Sequence, residues 1–87
     1  MGKKASPNLV EAARGGDRAA FERLVVELQD MAVAVCYGRL GNRELAREAA
    51  QDAFVDAFLH LAQLNEPAAF GAWFHRVLLK HLSLIHI

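Results

Sequence analysis

Four histidines, His60, His75, His81 and His86, are the first residues to test for chemistry. No two of them lie four apart with a glutamate between, so the helical zinc-protease spacing is absent. His60 follows Asp56 by one helical turn, which fits half of a metal site but equally an exposed helix pair of opposite polarity. Gly15-Gly16 has neither the phosphate-loop motif nor a preceding strand. The serines are Ser6 and Ser83, which leaves little from which to build a hydroxyl nucleophile with its base. Cys36 is the single cysteine, which excludes a disulfide framework and a cysteine-built zinc site. At helical spacing among apolar neighbours, it reads as an inert buried thiol. The expectation is a protein that is not an enzyme, with no catalytic residue, metal, cofactor or small-molecule substrate.

Two polar constellations remain. Glu44, Glu48, Asp52 and Asp56 fall at successive i+4 positions, drifting about 40° per step, with Gln51 alongside. Such a ridge repels itself by a few tenths of a kcal/mol per pair, an effect Arg43 and Arg47 partly offset. Four acids against two arginines give residues 41–64 a net charge of −2. The ridge suits either an ordinary solvated face or a docking face for a basic or polar helix, where charge steers association and fixes register. Further on, Phe70, Trp73 and Phe74 are interleaved with His75, Arg76, Lys80 and His81. Arg76 and Lys80 against Glu66 leave residues 65–81 at +1. Rings between cations suit single-stranded nucleic acid, since a ring stacks on an unpaired base while cations neutralise phosphate. The same rings at helical spacing also suit a plain core.

These side chains need helices to carry them. The chain has 87 residues and is 54% hydrophobic, enough for one domain and too apolar for intrinsic disorder. Ten basic and ten acidic residues cancel, so any nucleic-acid site must be a local patch. Alanine is abundant, β-branched residues are scarce and the prolines are Pro7 and Pro67, which favours helix nearly throughout. Asn8 is placed to cap a short first helix that ends at Gly15-Gly16, and Asp17 to cap a second. The second helix carries the stripe Phe21, Leu24, Val25, Leu28, Met31, Ala32, Val35 and Cys36, weakened towards its end by Gly38. Gly41-Asn42 forms a turn whose asparagine caps a third helix. That helix buries Leu45, Ala46, Ala49, Ala50, Ala53, Ala57 and Leu61, with Phe54 and Phe58 supplying most of the area. Pro67 suits the first position of a fourth helix, with Phe70, Trp73, Phe74, Val77 and Leu78 on one side. The pattern predicts an all-α, compact bundle of three to four helices.

Residues 1–7 are expected to form a flexible leader and residues 8–81 the domain. The tail 82–87, Leu82-Ser83-Leu84-Ile85-His86-Ile87, matches one translated frame of a transposon-end sequencing adaptor and reads as non-native. The start lacks the apolar core of a signal peptide, and no stretch approaches a membrane span, so a cytoplasmic protein is expected.

Four blocks in order resemble region 2 of the extracytoplasmic-function sigma factors, specificity subunits of bacterial RNA polymerase. Leu9-Val10-Glu11-Ala12-Ala13-Arg14-Gly15-Gly16-Asp17-Arg18-Ala19-Ala20-Phe21 is similar to the opening block, and Gln29-Asp30-Met31 then continues the second helix. Ala46-Arg47-Glu48-Ala49-Ala50-Gln51-Asp52-Ala53-Phe54 resembles the core-binding block. Glu66-Pro67-Ala68-Ala69-Phe70-Gly71-Ala72-Trp73-Phe74-His75-Arg76-Val77 resembles the promoter-reading block. The likeness covers residues 8–81. It departs from the family at Arg47, where glutamate is frequent, at Lys80, where asparagine is, and at His75, where tyrosine or arginine is.

The resemblance implies that the third helix docks on the clamp helices of the polymerase largest subunit through Glu48, Gln51, Asp52, Val55 and Asp56. It implies that the loop before the fourth helix, with that helix, binds the non-template strand of the −10 promoter element and helps to melt the duplex. Asn65, Glu66, His75, Arg76, Lys80 and His81 are the polar candidates there, and Phe70, Trp73 and Phe74 frame the surface. An anti-sigma factor is a further possible partner. Family members continue into a −35-reading region 4, which these residues do not include. Two other readings stand beside this one. One is a helical protein-docking module with no DNA role; the other, a helical-bundle metalloenzyme, needs inward carboxylate and histidine ligands where this chain has Ala, Leu, Val and Phe.

Overall fold

The structure, a computed structural model, describes residues 6–83. Four α-helices follow one another: α1 (Pro7–Arg14), α2 (Arg18–Leu40), α3 (Arg43–His60) and α4 (Phe70–Ser83). Two short 3-10 turns, Leu61–Gln63 and Pro67–Ala69, lie between α3 and α4. No strand occurs among the described residues, so the chain is an all-α bundle.

Helix α1 starts one residue before the expected Asn8 cap. Pro7 occupies the first helical position, where a missing amide hydrogen is no loss, and Ser6 takes the cap position without a side-chain cap bond. The Ser6 hydroxyl instead reaches Glu27 of α2 at 3.3 Å. Residues 1–5 of the expected leader lie outside the described residues. Gly16, at φ 105°, makes the turn out of α1, and the Asp17 carboxylate accepts from the Ala20 amide at 3.1 Å. That bond satisfies one of the orphan donors of α2.

With 23 residues, α2 runs about 35 Å at 1.5 Å per residue, close to the 36 Å length of the whole molecule. Its stripe Phe21, Leu24, Leu28, Ala32 and Cys36 is buried, while Val25, Met31 and Val35 sit half-buried at its margins. Burial pushes the Cys36 thiol above its ordinary value, in keeping with an unreactive core residue. The helix continues through Gly38 and stops only at Gly41, whose left-handed φ of 64° lets its amide donate to Tyr37 at 2.8 Å. Asn42 then caps α3, its side-chain oxygen accepting from the Leu45 amide at 3.0 Å.

Helix α3 meets α2 along Ala46, Ala49, Ala50, Ala53 and Ala57, none more than 2% exposed. With only methyl groups at these positions, α3 allows its neighbour to pack close to its backbone. Phe54 stacks on Phe74 at 4.8 Å, and Phe74 on Phe70 at 5.8 Å, so three aromatic rings fasten α4 to α3. Phe58 departs from expectation. It is 42% exposed and meets Phe21 in an edge-type contact with ring centroids 5.1 Å apart, because one more helical turn rotates it off the covered side. Pro67 opens a 3-10 turn that leads directly into α4, not α4 itself. Helix α4 continues past His81: Leu82 lies one turn beyond Leu78 on the same apolar stripe and is buried. The remainder of the expected tail, residues 84–87, lies outside the described residues.

Candidate protein and nucleic-acid interface

Helix α3 presents Glu48, Gln51 and Asp52 to solvent, with no hydrogen bond from their side chains to the rest of the described chain. Next to them Val55 and Leu59 are 54% and 67% exposed, large apolar groups that the fold leaves uncovered. Polar heads beside bare apolar surface are the composition of a contact face. On the α2 side this face falls into an open groove of about 1230 Å³, floored by Phe21, Val25, Val33, Phe54 and Phe58, with Gln51 and Val55 on its wall. Arg18 lies over the Phe58 ring at 6.0 Å and Arg43 over the Tyr37 ring at 5.8 Å. The groove escaped the sequence reading because its lining comes from both helices, and only their crossing brings it together.

Asp56 behaves differently from the rest of the ridge. Its side chain is 13% exposed, and three basic groups surround it: Lys80 Nζ at 3.0 Å and His81 Nε2 at 2.9 Å on one oxygen, His60 Nδ1 at 2.7 Å on the other. A carboxylate only accepts, so the proton sits on Nε2 of His81 and Nδ1 of His60. The Lys80 hydrogen bond, reinforced by that of His81, outweighs the effect of burial and holds the Asp56 carboxyl at about 2 instead of its ordinary 3.8. Two residues expected at DNA, Lys80 and His81, are therefore joined to one expected at the polymerase. The cluster ties α3 to α4. Among the described residues, no group of histidine, cysteine and carboxylate side chains has the geometry to hold a metal ion.

The loop and α4 divide their candidates by depth. Phe70 and Phe74 are 2% and 1% exposed and belong to the interior, whereas Trp73 is half-buried with its ring 5.9 Å from that of Phe70. Asn65, Glu66, His75 and Arg76 are exposed. The loop backbone is held from an element that the sequence reading did not connect to it. Arg14 of α1 donates to the carbonyls of Leu64 and Asn65 at 2.8 and 3.0 Å. No local pattern signals this contact, since the partners are fifty residues and more apart.

The description of sigma-70 region 2 matches residues 24–82, more than half of the chain and inclusive of Leu82. The chain belongs to the sigma-70 region 2 family, and sigma factors are not enzymes. Among curated proteins it is similar to the ECF RNA polymerase sigma factor SigW of Bacillus subtilis, 29% identical over 68 residues, or 78% of this chain and 36% of the relative. It is 30% identical over 69 residues to the RNA polymerase sigma-H factor of Pseudomonas aeruginosa, covering 79% of this chain and 36% of that one. A probable RNA polymerase sigma factor of Xanthomonas campestris, RfaY, is 31% identical over 65 residues, 75% and 16% of the two chains. The chain thus spans about a third or less of the length of these relatives. No solved structure gives a significant match. No described helix is long and apolar enough to cross a membrane.

Proposed function

We propose that this chain is the region 2 part of an extracytoplasmic-function sigma factor, acting in the cytoplasm to dock on RNA polymerase core and to read the −10 promoter element. The observation that carries the docking half is the row Glu48, Gln51 and Asp52, exposed beside Val55 and Leu59 and without a side-chain partner among the described residues. An amide and two carboxylates next to apolar surface complement a helix pair that carries cations on an apolar flank, the character expected of the clamp helices. Asp56 contributes to this face mainly by fixing α4 against it. An anti-sigma factor that covers the same row would compete with the polymerase.

In the DNA half, the loop 64–70 and the outer side of α4 hold an unpaired base of the non-template strand. Trp73, half-buried, is the α4 ring with surface available for stacking, while Phe70 and Phe74 set its position from the interior. Asn65 and Glu66 offer polar groups to base edges, and His75, Arg76, Lys80 and His81 offer donors to phosphate. Unstacking a base costs a few kcal/mol, which stacking and phosphate contacts offset.

The test is binding of the chain to an isolated clamp-helix fragment, beside the Gln51→Ala/Asp52→Ala double variant. Saturable binding that the double variant loses supports the docking role, and a folded wild type that does not bind overturns it. One observation favours a second reading, a protein-docking module without a DNA role. Asp56 already pairs with Lys80 and accepts a hydrogen bond from His81, leaving Arg76 as the cation on α4 without an acidic partner among the described residues. Binding of a single-stranded −10 oligonucleotide, weakening steeply with salt, separates the two readings.

A further inference from the structure

We infer that Arg14 is a positioning residue for the loop before α4, holding the Leu64–Glu66 backbone in the shape that meets an unpaired base. The inference rests on the promoter-reading role proposed above for that loop. Between the two 3-10 turns the chain is extended, with ψ of 119° at Leu64 and 115° at Glu66. Consecutive carbonyls in such a stretch find no helical amide, and among the described residues no backbone amide is bonded to that of Leu64 or of Asn65. A partner has to come from elsewhere.

Arg14 supplies it from the last turn of α1. One nitrogen of its guanidinium donates to both carbonyls, at 2.8 and 3.0 Å, and the other donates to the two oxygens of Glu11, at 3.0 and 2.9 Å. The planar fork is therefore held at one edge by a carboxylate one helical turn back and clamps the loop with the other. Leu64 anchors one end of the loop in the core and Phe70 the far side of the second 3-10 turn. The backbone oxygens are drawn in towards α1, while the side chains of Asn65 and Glu66 stay exposed and make no hydrogen bond within the described chain. An arrangement that fixes a loop backbone and leaves its polar side chains uncommitted preorganises a recognition element. Lysine has a single nitrogen and cannot reproduce the fork.

The full chain is offered a single-stranded DNA pool with a short randomised stretch, and the bound strands define a preferred sequence. Affinity for that strand and for the unselected pool is then measured with wild type, Arg14→Ala and Arg14→Lys, with amide hydrogen exchange of the free proteins. Arg14→Ala is expected to bind the preferred strand about tenfold more weakly, with less than about twofold change on the pool, because binding must now order the loop. Exchange at the Asn65 and Glu66 amides rises in the same variant, and Arg14→Lys shows an intermediate loss of preference. A purely structural role weakens both ligands alike, and that result overturns the inference. A wild type that selects no strand removes the promoter-reading role and the clamp with it. A selecting wild type matched by Arg14→Ala removes the clamp alone. Should Arg14→Ala fail to fold, an Arg14→Lys variant that is folded and keeps the full preference overturns the inference, and one that loses preference supports it.

Discussion

Replacing Asp56 by asparagine keeps the size of the side chain and removes its charge from among Lys80, His81 and His60. A carboxyl held at about 2 in the folded protein and at 3.8 when free corresponds to about 2 kcal/mol of stability at neutral pH. Lys80 and His60 are well exposed, so solvent screening reduces the net effect to about 1 kcal/mol. Because the folded carboxyl is the stronger acid, the unfolded chain binds more protons as pH falls. The stabilisation is fully present above about pH 4 to 5 and disappears as pH drops from 3.8 towards 2. Asp56→Asn is therefore expected to melt about 4–8 °C below wild type at pH 7, the shift that about 1 kcal/mol produces in a domain of this size. Thermal melts followed by circular dichroism from pH 7 to pH 2 provide the assay, and the gap between the two proteins should close across the acid range. A gap that persists unchanged at pH 2 would show that packing holds α3 to α4 and that the charge on Asp56 contributes nothing. No gap at pH 7 would refute the coupling altogether.

The same substitution frees the Lys80 cation from its ion pair and releases the hydrogen bond of His81. If Lys80 and His81 meet phosphate, Asp56→Asn strengthens single-stranded DNA binding and steepens its salt dependence, by about 0.7 in log–log slope for each additional phosphate neutralised, measured by fluorescence anisotropy. Truncating Phe74 to alanine opens a cavity under the aromatic stack and is expected to cost about 3–5 kcal/mol, a large part of the stability of a small domain. Phe58→Ala, at a 42% exposed position, should cost under about 1 kcal/mol, with both variants compared to wild type by urea titration. Gly41→Ala meets no steric obstacle but forces an L side chain into a left-handed conformation at φ 64°, and should lower stability by about 1 kcal/mol without altering helix content.

Caps and stripes were legible in the sequence because they are local. Asp17 and Asn42 each bond an amide three residues on, and the α2 stripe needs only the helical period. Two departures are local, the Asn8 cap that Pro7 pre-empts and the 3-10 turn that Pro67 opens; the others arise where a third element decides. Phe58 shares the i+4 spacing of Phe54, yet how far a stripe stays covered depends on the width of the neighbouring helix. Asp56 reads as the end of a solvent ridge, but three steps of about 40° carry it about 120° round the helix from Glu44, to where α4 lies. Its partners on α4 are 24 and 25 residues away, and no local pattern announces them. The outer candidates Gln51 and Asp52 were legible for the opposite reason, since they remain where the helical wheel puts them. For the loop, sequence showed which polar side chains are offered but not what holds their backbone, because Arg14 reaches it from the other end of the chain.

The alanine seam between α2 and α3 has a consequence for how such a protein changes over generations. A buried alanine has almost nothing to lose and can vary chiefly by growing, which the close approach of the two helices resists. Glu48, Gln51 and Asp52, interleaved with those alanines on the same helix, project into water and meet no such resistance. One helix therefore carries two kinds of position with opposite tolerance, set by which way each residue faces. Lineages descended from such a chain can retune the partner it meets through single substitutions while the helix pair underneath keeps its spacing. Drift at the seam would instead accumulate as strain between the helices before any partner noticed it.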